Sequence, residues 1–418
     1  MKRLVICCDG TWNELDYRQR PTTNVVKLAQ SVSSHGVDGQ GRPVSQVVFY
    51  NEGVGTLEGE SLQGGGFANG LEQNIKDAYA FLVFNYDPGD EIYVFGFSRG
   101  AYTARSLVGM IRNCGILRRT CAPSVEEAFE IYKSKSIHPD SVEARQFREA
   151  KTYEGWWVSD ELRQDDDTVE MIAGLDPAKQ LTIEYVGVWD TVGQLGIPGV
   201  VNAVAGKDED HGFHDLKLSS MVKRARHAVA LDESREVFRP TLWEPGKLTR
   251  LNGAQMGGDR PYQQLWFAGD HGSVGGGGDL TGLSDITLEW IADGARQNGA
   301  LLHYDEAFKG VDYEVEVTIR RKKVKKHVRF NANGIAPLKN ISDAYKEAQS
   351  PLNRLFGFAM NAISRDRISD LPALEDIHPT AKAYAGYEGD HKDYRKGLVK
   401  RLKAYTRFLH RDIEGQFP

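Results

Sequence analysis

The chain has 418 residues and a formal charge of -6, so it can bury a large core in two or three domains, and nothing in its charge points to nucleic-acid binding. Four cysteines without metal-ligand spacing (Cys7, Cys8, Cys114 and Cys121) argue against a disulfide framework and read as reduced structural thiols. The apolar run at Leu4–Cys8 is too short for a signal-peptide core, and no stretch approaches the ~20 apolar residues of a membrane-spanning helix, so a soluble protein, cytoplasmic at synthesis, is expected.

In chain order, Leu4-Val5-Ile6-Cys7-Cys8 predicts a buried strand that ends at Asp9-Gly10-Thr11-Trp12. Thr22-Thr23-Asn24 reads as a cap for a helix carrying Val25, Val26, Leu28, Ala29 and Val32. Gln46–Tyr50 predicts a second strand, followed by a glycine-rich loop from Gly53 and a helix near 70–86. Ile92, Tyr93, Val94 and Phe95 form a third strand. After the turn at 96–100, Ala101, Ala104, Leu107, Val108 and Ile111 recur at helical spacing. Residues 117–180 break the rhythm and read as an inserted, partly helical cap. Alternation resumes with a strand at Thr182–Trp189, a helix near 217–229, a strand at Gln264–Ala268 and a helix over 283–299. This alternation predicts a parallel, doubly wound α/β sheet over residues 1–300.

Beyond about residue 300 the composition changes to a C-terminal α+β extension, 301–418. Tyr313–Ile319 alternates as a strand should, Arg320–Lys326 reads as a basic turn, and Val328 and Phe330 return. The hairpin's charges are either a solvated tip or a surface for phosphates or an anionic membrane. A basic amphipathic helix is expected near 391–412.

The chemistry centres on Gly96-Phe97-Ser98-Arg99-Gly100, a G-x-S-x-G turn between a strand and a helix. A Cβ at Gly96 or Gly100 would collide with its surroundings in such a turn, and Ser98 would present its hydroxyl. The plainer alternative is a strand-to-helix turn that happens to hold a serine. A serine hydroxyl needs a base, and the base needs an acid to fix its tautomer. Asp190 and His271 follow in the chain order Ser, Asp, His, each just after a predicted strand. His227, read as a helix-end residue, is the rival base, and Asp9, Asp270 and Asp285 are the rival acids, Asp285 also fitting a helix cap. The oxyanion donors would be the N–H of Arg99 and one from the Gly10-Thr11-Trp12 loop, which Asp9 would orient unless it binds a cation. The triad chemistry needs no metal and no cofactor.

Cys8-Asp9-Gly10-Thr11-Trp12-Asn13, Thr23-Asn24-Val25, Gly53-Val54-Gly55-Thr56, Gly96–Ala101, Val188–Gly193 and His271 before Val274-Gly275-Gly276-Gly277 stand in one order over roughly residues 1–300. His227–Arg235 and Leu283-Ser284-Asp285-Ile286 fit the same pattern. Together they resemble the bacterial and fungal α/β-hydrolase domain of unknown function typified by the type VI secretion phospholipase effectors. The resemblance implies an α/β-hydrolase-like fold and serine lipase or phospholipase chemistry, with Ser98, Asp190 and His271 at the matching positions. It implies an ester or lipid substrate, peripheral membrane contact and export by a dedicated secretion system; it fixes no oligomeric state. The chain departs from the family around His271, where Asp270 precedes it and Ser273 stands two residues after it in place of an aspartate. That departure motivates a second reading, a non-catalytic binding protein on a hydrolase scaffold. A third is a Mg²⁺-dependent phosphate-ester hydrolase using Asp9, against which Thr11 stands where a second aspartate belongs.

Overall fold

The computed structural model describes residues 1–10, 22–53, 66–154, 179–193, 218–253, 255, 260–278, 280–297, 302–304, 312–319, 322–329, 332–333, 336, 366–386 and 393–417. Its main sheet has seven strands in the order β2-β3-β1-β4-β5-β6-β7. These are β1 (Lys2–Cys8), β2 (His35–Val37), β3 (Pro43–Asn51), β4 (Glu91–Phe97), β5 (Tyr185–Trp189), β6 (Ala225–Ala230) and β7 (Tyr262–Phe267). All neighbours pair in parallel except β2, a three-residue antiparallel edge strand that has no sequence signature.

Side chains alternate across the sheet. Leu4, Ile6 and Cys8 enter one core with helices α2 (Gly66–Asn85) and α3 (Arg99–Cys114), while Val5 and Cys7 enter the other with α1 (Asn24–Ser31). From β1 the chain crosses to β3 on one side, and from β4 it crosses to β5 on the other. The switch point therefore lies between β1 and β4, whose C-terminal ends carry Asp9 and Ser98. Of the inserted stretch 117–180, the described part holds α4 (Val125–Lys133) and α5 (Val142–Lys151). Phe129, Tyr132 and Phe147 from these helices are buried in the same core as α2 and α3. Helix α6 (Pro245–Asn252) precedes β7, α7 (His271–Gly275) follows it, and α8 (Gly282–Arg296) covers the face shared with α1.

Three sequence expectations change. Residues 225–230 form a strand, not the end of a helix. Ala225-Arg226-His227-Ala228-Val229-Ala230 suits a helix by intrinsic propensity, but the segment pairs with β5 on one side and β7 on the other with all six residues buried, and tertiary pairing overrides the local preference. In the hairpin of β8 (Asp312–Ile319) and β9 (Lys322–Arg329), Ile319 pairs with Lys322. Lys322, Lys323, Lys325 and Lys326 thus lie within a strand; Arg320 and Arg321 are outside the described residues. The final helix α10 (Tyr394–Lys403) is shorter than 391–412, because a tighter turn at Thr406–Phe408 buries the Phe408 ring.

The C-terminal segment builds onto the β7 edge. Ile377 bridges to Trp266, and the His378 N–H donates to the Trp266 carbonyl at 2.9 Å. Ile368, Leu371, Tyr384 of α9 (Pro379–Gly386), Leu402 and Phe408 share one buried cluster with Val229, Leu231, Trp266 and Leu283.

Candidate active site

Ser98 occupies the sharp turn from β4 into α3 with φ 59 and ψ -122. A non-glycine residue held at positive φ persists only where its surroundings fix it. Here its N–H donates to the Trp189 carbonyl at 3.0 Å, and its carbonyl accepts from the Val192 N–H at 3.2 Å. The turn closes tightly on both sides: a Cβ on Gly96 would lie 2.5 Å from the Gly100 carbonyl oxygen, and one on Gly100 would lie 2.2 Å from the Cys8 carbonyl oxygen.

Asp190 follows β5 at φ 37 and is fully buried. His271 opens α7, directly after β7. The three side chains form one hydrogen-bonded line: Ser98 Oγ to His271 Nε2 at 2.8 Å, and His271 Nδ1 to Asp190 Oδ2 at 2.6 Å. An ionised carboxylate only accepts, so Nδ1 carries the proton and Nε2 accepts from the hydroxyl. Phe97 and Phe238 each lie against the imidazole in tilted contacts, at 4.6 and 4.5 Å between centroids and 32° between planes in each case.

Asp190 has a further partner that the sequence does not signal. Arg367 places Nη1 at 2.6 Å from Asp190 Oδ1 and Nη2 at 3.1 Å from Oδ2. Burial pushes the Asp190 carboxyl up, but the Arg367 charge, with the hydrogen bonds from His271 and Arg367, outweighs it and holds the group well below the usual carboxylate range. The Ala230 N–H also donates to Oδ1, at 3.0 Å.

Asp270 and Ser273, the residues that depart from the family pattern, satisfy each other. Asp270 caps α7, accepting from the Ser273 N–H at 3.0 Å and the Ser273 hydroxyl at 2.9 Å. The His271 N–H donates to Glu233 at 3.2 Å, a second contact unmarked by any motif.

The remaining candidates lie elsewhere or act differently. His227 is buried within β6, with Nδ1 on Gln264 Oε1 at 2.9 Å and Nε2 accepting from the Thr191 N–H at 3.2 Å. Burial first, then the Arg105 charge, push it down to about 3, so it is a neutral structural histidine. Asp285 makes a buried ion pair with Lys27 at 2.7 Å, which ties α8 to α1. Asp9 accepts from Thr23 Oγ1 at 2.6 Å, Tyr50 OH at 2.8 Å and the Gly10 N–H at 2.7 Å, and burial pushes its carboxyl up to about 6. The Arg99 N–H stands at the first turn of α3 beside Ser98, and Gly10 is buried at the end of β1. Thr11 and Trp12 lie outside the described residues. Among the described residues, no three His, Cys, Asp or Glu side chains come together as a metal site requires.

Residues 2–294 match the family model of the type VI secretion system (T6SS) phospholipase effector Tle1-like catalytic domain. The chain belongs to the Tle1-like family. Among solved structures, that of the Tle1 effector bound to the VgrG spike of the type 6 secretion system aligns at 19% identity and a TM-score of 0.36, covering 68% of this chain and 52% of that one. An uncharacterised protein from Pseudomonas aeruginosa aligns at 17% identity and a TM-score of 0.38, covering 73% of this chain and 47% of its own. An uncharacterised protein of Saccharomyces cerevisiae is 27% identical over 58% of this chain and 33% of its own length. This Tle1-like chain thus spans between one third and about half of these relatives. Among the described residues, no helix is long and apolar enough to cross a membrane. Arg367 lies beyond residue 294, where the family match ends.

Proposed function

We propose that this Tle1-like chain is a serine hydrolase of carboxylic esters, acting on phospholipid acyl chains through an acyl-enzyme. The observation that carries the reading is the hydrogen-bonded line Ser98–His271–Asp190, mounted on a serine held at positive φ. Ser98 Oγ attacks the ester carbonyl carbon while His271 Nε2 takes its proton. Asp190 holds the imidazole in the required tautomer and stabilises the imidazolium that forms. The Arg99 N–H at the start of α3 faces the oxyanion. Collapse expels the alcohol, which takes the proton from His271. Water, activated by the same base, then releases the fatty acid and restores Ser98.

Family membership supports a phospholipid as substrate, peripheral contact with a membrane and delivery by a dedicated secretion system. The Asp9 alternative is less well supported, because three neutral donors already occupy that carboxylate. A panel of phospholipid vesicles and p-nitrophenyl esters tests the reading on wild type and Ser98→Ala. Ser98→Ala is expected to lower kcat by about 10⁴-fold or more, and a fluorophosphonate probe is expected to label wild type at Ser98 alone. Full activity in Ser98→Ala would exclude the mechanism. A folded wild type inert to every ester and to the probe would leave a binding module on the same scaffold.

A further inference from the structure

We infer that Arg367 is a positioning residue of this hydrolase: its guanidinium locks Asp190 against His271 and sets the charge balance beneath the imidazole. The inference rests on the esterase reading above. Arg367 starts the 3-10 turn Arg367–Asp370 and is 3% exposed. It reaches Asp190 across 177 positions of sequence with both terminal nitrogens, a fork-to-fork pairing that fixes the plane of the carboxylate. Nη1 also donates to the Ala230 carbonyl at 3.0 Å, and Nη2 to the Phe238 carbonyl. The Phe238 ring lies on His271, so one guanidinium holds both the acid and an aromatic cover of the base.

The charge matters as much as the grip. In a triad the buried carboxylate makes the imidazolium affordable. Here a permanent cation sits on the same carboxylate, in a buried setting where screening by water is weak. Arg367 therefore offsets part of the negative charge that His271 Nδ1 faces, and its removal would leave that charge unopposed. Other charged and titratable groups also face this pair. Glu233, which accepts from the His271 N–H, is matched by Arg235 at 2.5 Å. Asp270 is engaged by Ser273, His227 is neutral, and Arg105 on α3 adds positive charge of the same sign beside His227.

The test is kcat/KM against pH on a p-nitrophenyl ester, using the full chain as wild type, Ser98→Ala, Arg367→Gln and Arg367→Lys, each checked for folding by circular dichroism. Arg367→Gln is expected to lower kcat on the order of 10- to 100-fold with KM little changed, a size typical of residues that orient a reacting group. It should also move the acid limb of the profile to higher pH by roughly one unit, the scale of a lost neighbouring charge. Arg367→Lys keeps the charge without the fork, so kcat should fall while the acid limb stays in place. A folded Arg367→Gln with the wild-type limb overturns the inference. Should Arg367→Gln not fold, Arg367→Lys decides: a limb at the wild-type position with reduced kcat supports the inference, and a displaced limb or an unchanged kcat overturns it. An inactive wild type, or an active Ser98→Ala, removes the esterase reading and this inference with it.

Discussion

Asp9 follows β1 and Asp190 follows β5, and both carboxylates are buried, yet they titrate in opposite directions. Asp190 faces a guanidinium, which stabilises its charge. Among the described residues Asp9 accepts from neutral donors on Gly10, Thr23 and Tyr50, and burial prevails, with Glu52 adding repulsion. Asp9 therefore binds its proton more tightly in the folded chain than in the unfolded one. Its contribution to stability is fully present below the unfolded pKa of about 3.9 and is lost as pH rises through about 6. The amount lost is on the order of 3 kcal/mol, from roughly two pKa units. Asp9→Asn carries no titrating proton, so it should lack this component. Thermal melts of both proteins between about pH 4 and 7 check it: the stability difference between wild type and Asp9→Asn should change across this range in wild type's disfavour as pH rises. Parallel curves would refute the assignment.

At the scale of elements, the site depends on close approaches that only glycine permits, Gly100 and Gly275 among them. A Cβ on Gly100 would lie 2.2 Å from a backbone oxygen of β1, which cannot yield without moving α3. A Cβ on Gly275 would lie 1.9 Å from the Phe97 ring, which itself lies against His271. Gly100→Ala is expected to destabilise by about 3 kcal/mol or more, as overpacking against a rigid neighbour does. Gly275→Ala should reduce kcat more than it reduces stability, because the displaced ring presses on the base. Gly397 in α10 has nothing within 4 Å of its would-be Cβ, so Gly397→Ala should stabilise by roughly 0.5–1 kcal/mol as an ordinary helix substitution. Urea melts and ester kinetics on the three variants separate these outcomes. The same elements show what the sequence makes legible. The apolar runs at 4–8 and 92–95 read as buried strands because a parallel sheet buries both faces. The run at 225–230 does not, since its alanines, Arg226 and His227 are locally compatible with a helix and only pairing with β5 and β7 settles the matter. Ser98, Asp190 and His271 are legible as candidates because each ends a strand, so the topology carries them to one edge. Arg367 ends no strand and sits in no motif; its place follows from how the C-terminal segment packs, which no local pattern encodes.

For the molecule as a whole, that packing determines whether residues 1–300 can stand alone. The cluster around Trp266 is built from both sides, with Val229, Leu231, Trp266 and Leu283 from one and Ile368, Leu371, Ile377, Tyr384, Leu402 and Phe408 from the other. Val229, Leu231 and Trp266 are 0% exposed and Leu283 is 6% exposed. Burying a large apolar side chain contributes about 1.5–3 kcal/mol, so uncovering these four costs roughly 6–12 kcal/mol, comparable with the whole stability of a typical domain at about 5–15 kcal/mol. Removal also takes away the cation beside Asp190. A chain truncated after residue 300 is therefore expected to lose its cooperative thermal transition, to bind a hydrophobic dye and to show no esterase activity, although it retains Ser98, Asp190 and His271. Calorimetry and dye fluorescence on the truncated chain, with the full chain as reference, measure this directly. A truncated chain with a sharp transition near that of the full chain would mean that the C-terminal segment covers a surface able to do without it, and a wild-type kcat in that chain would also remove Arg367 from the mechanism.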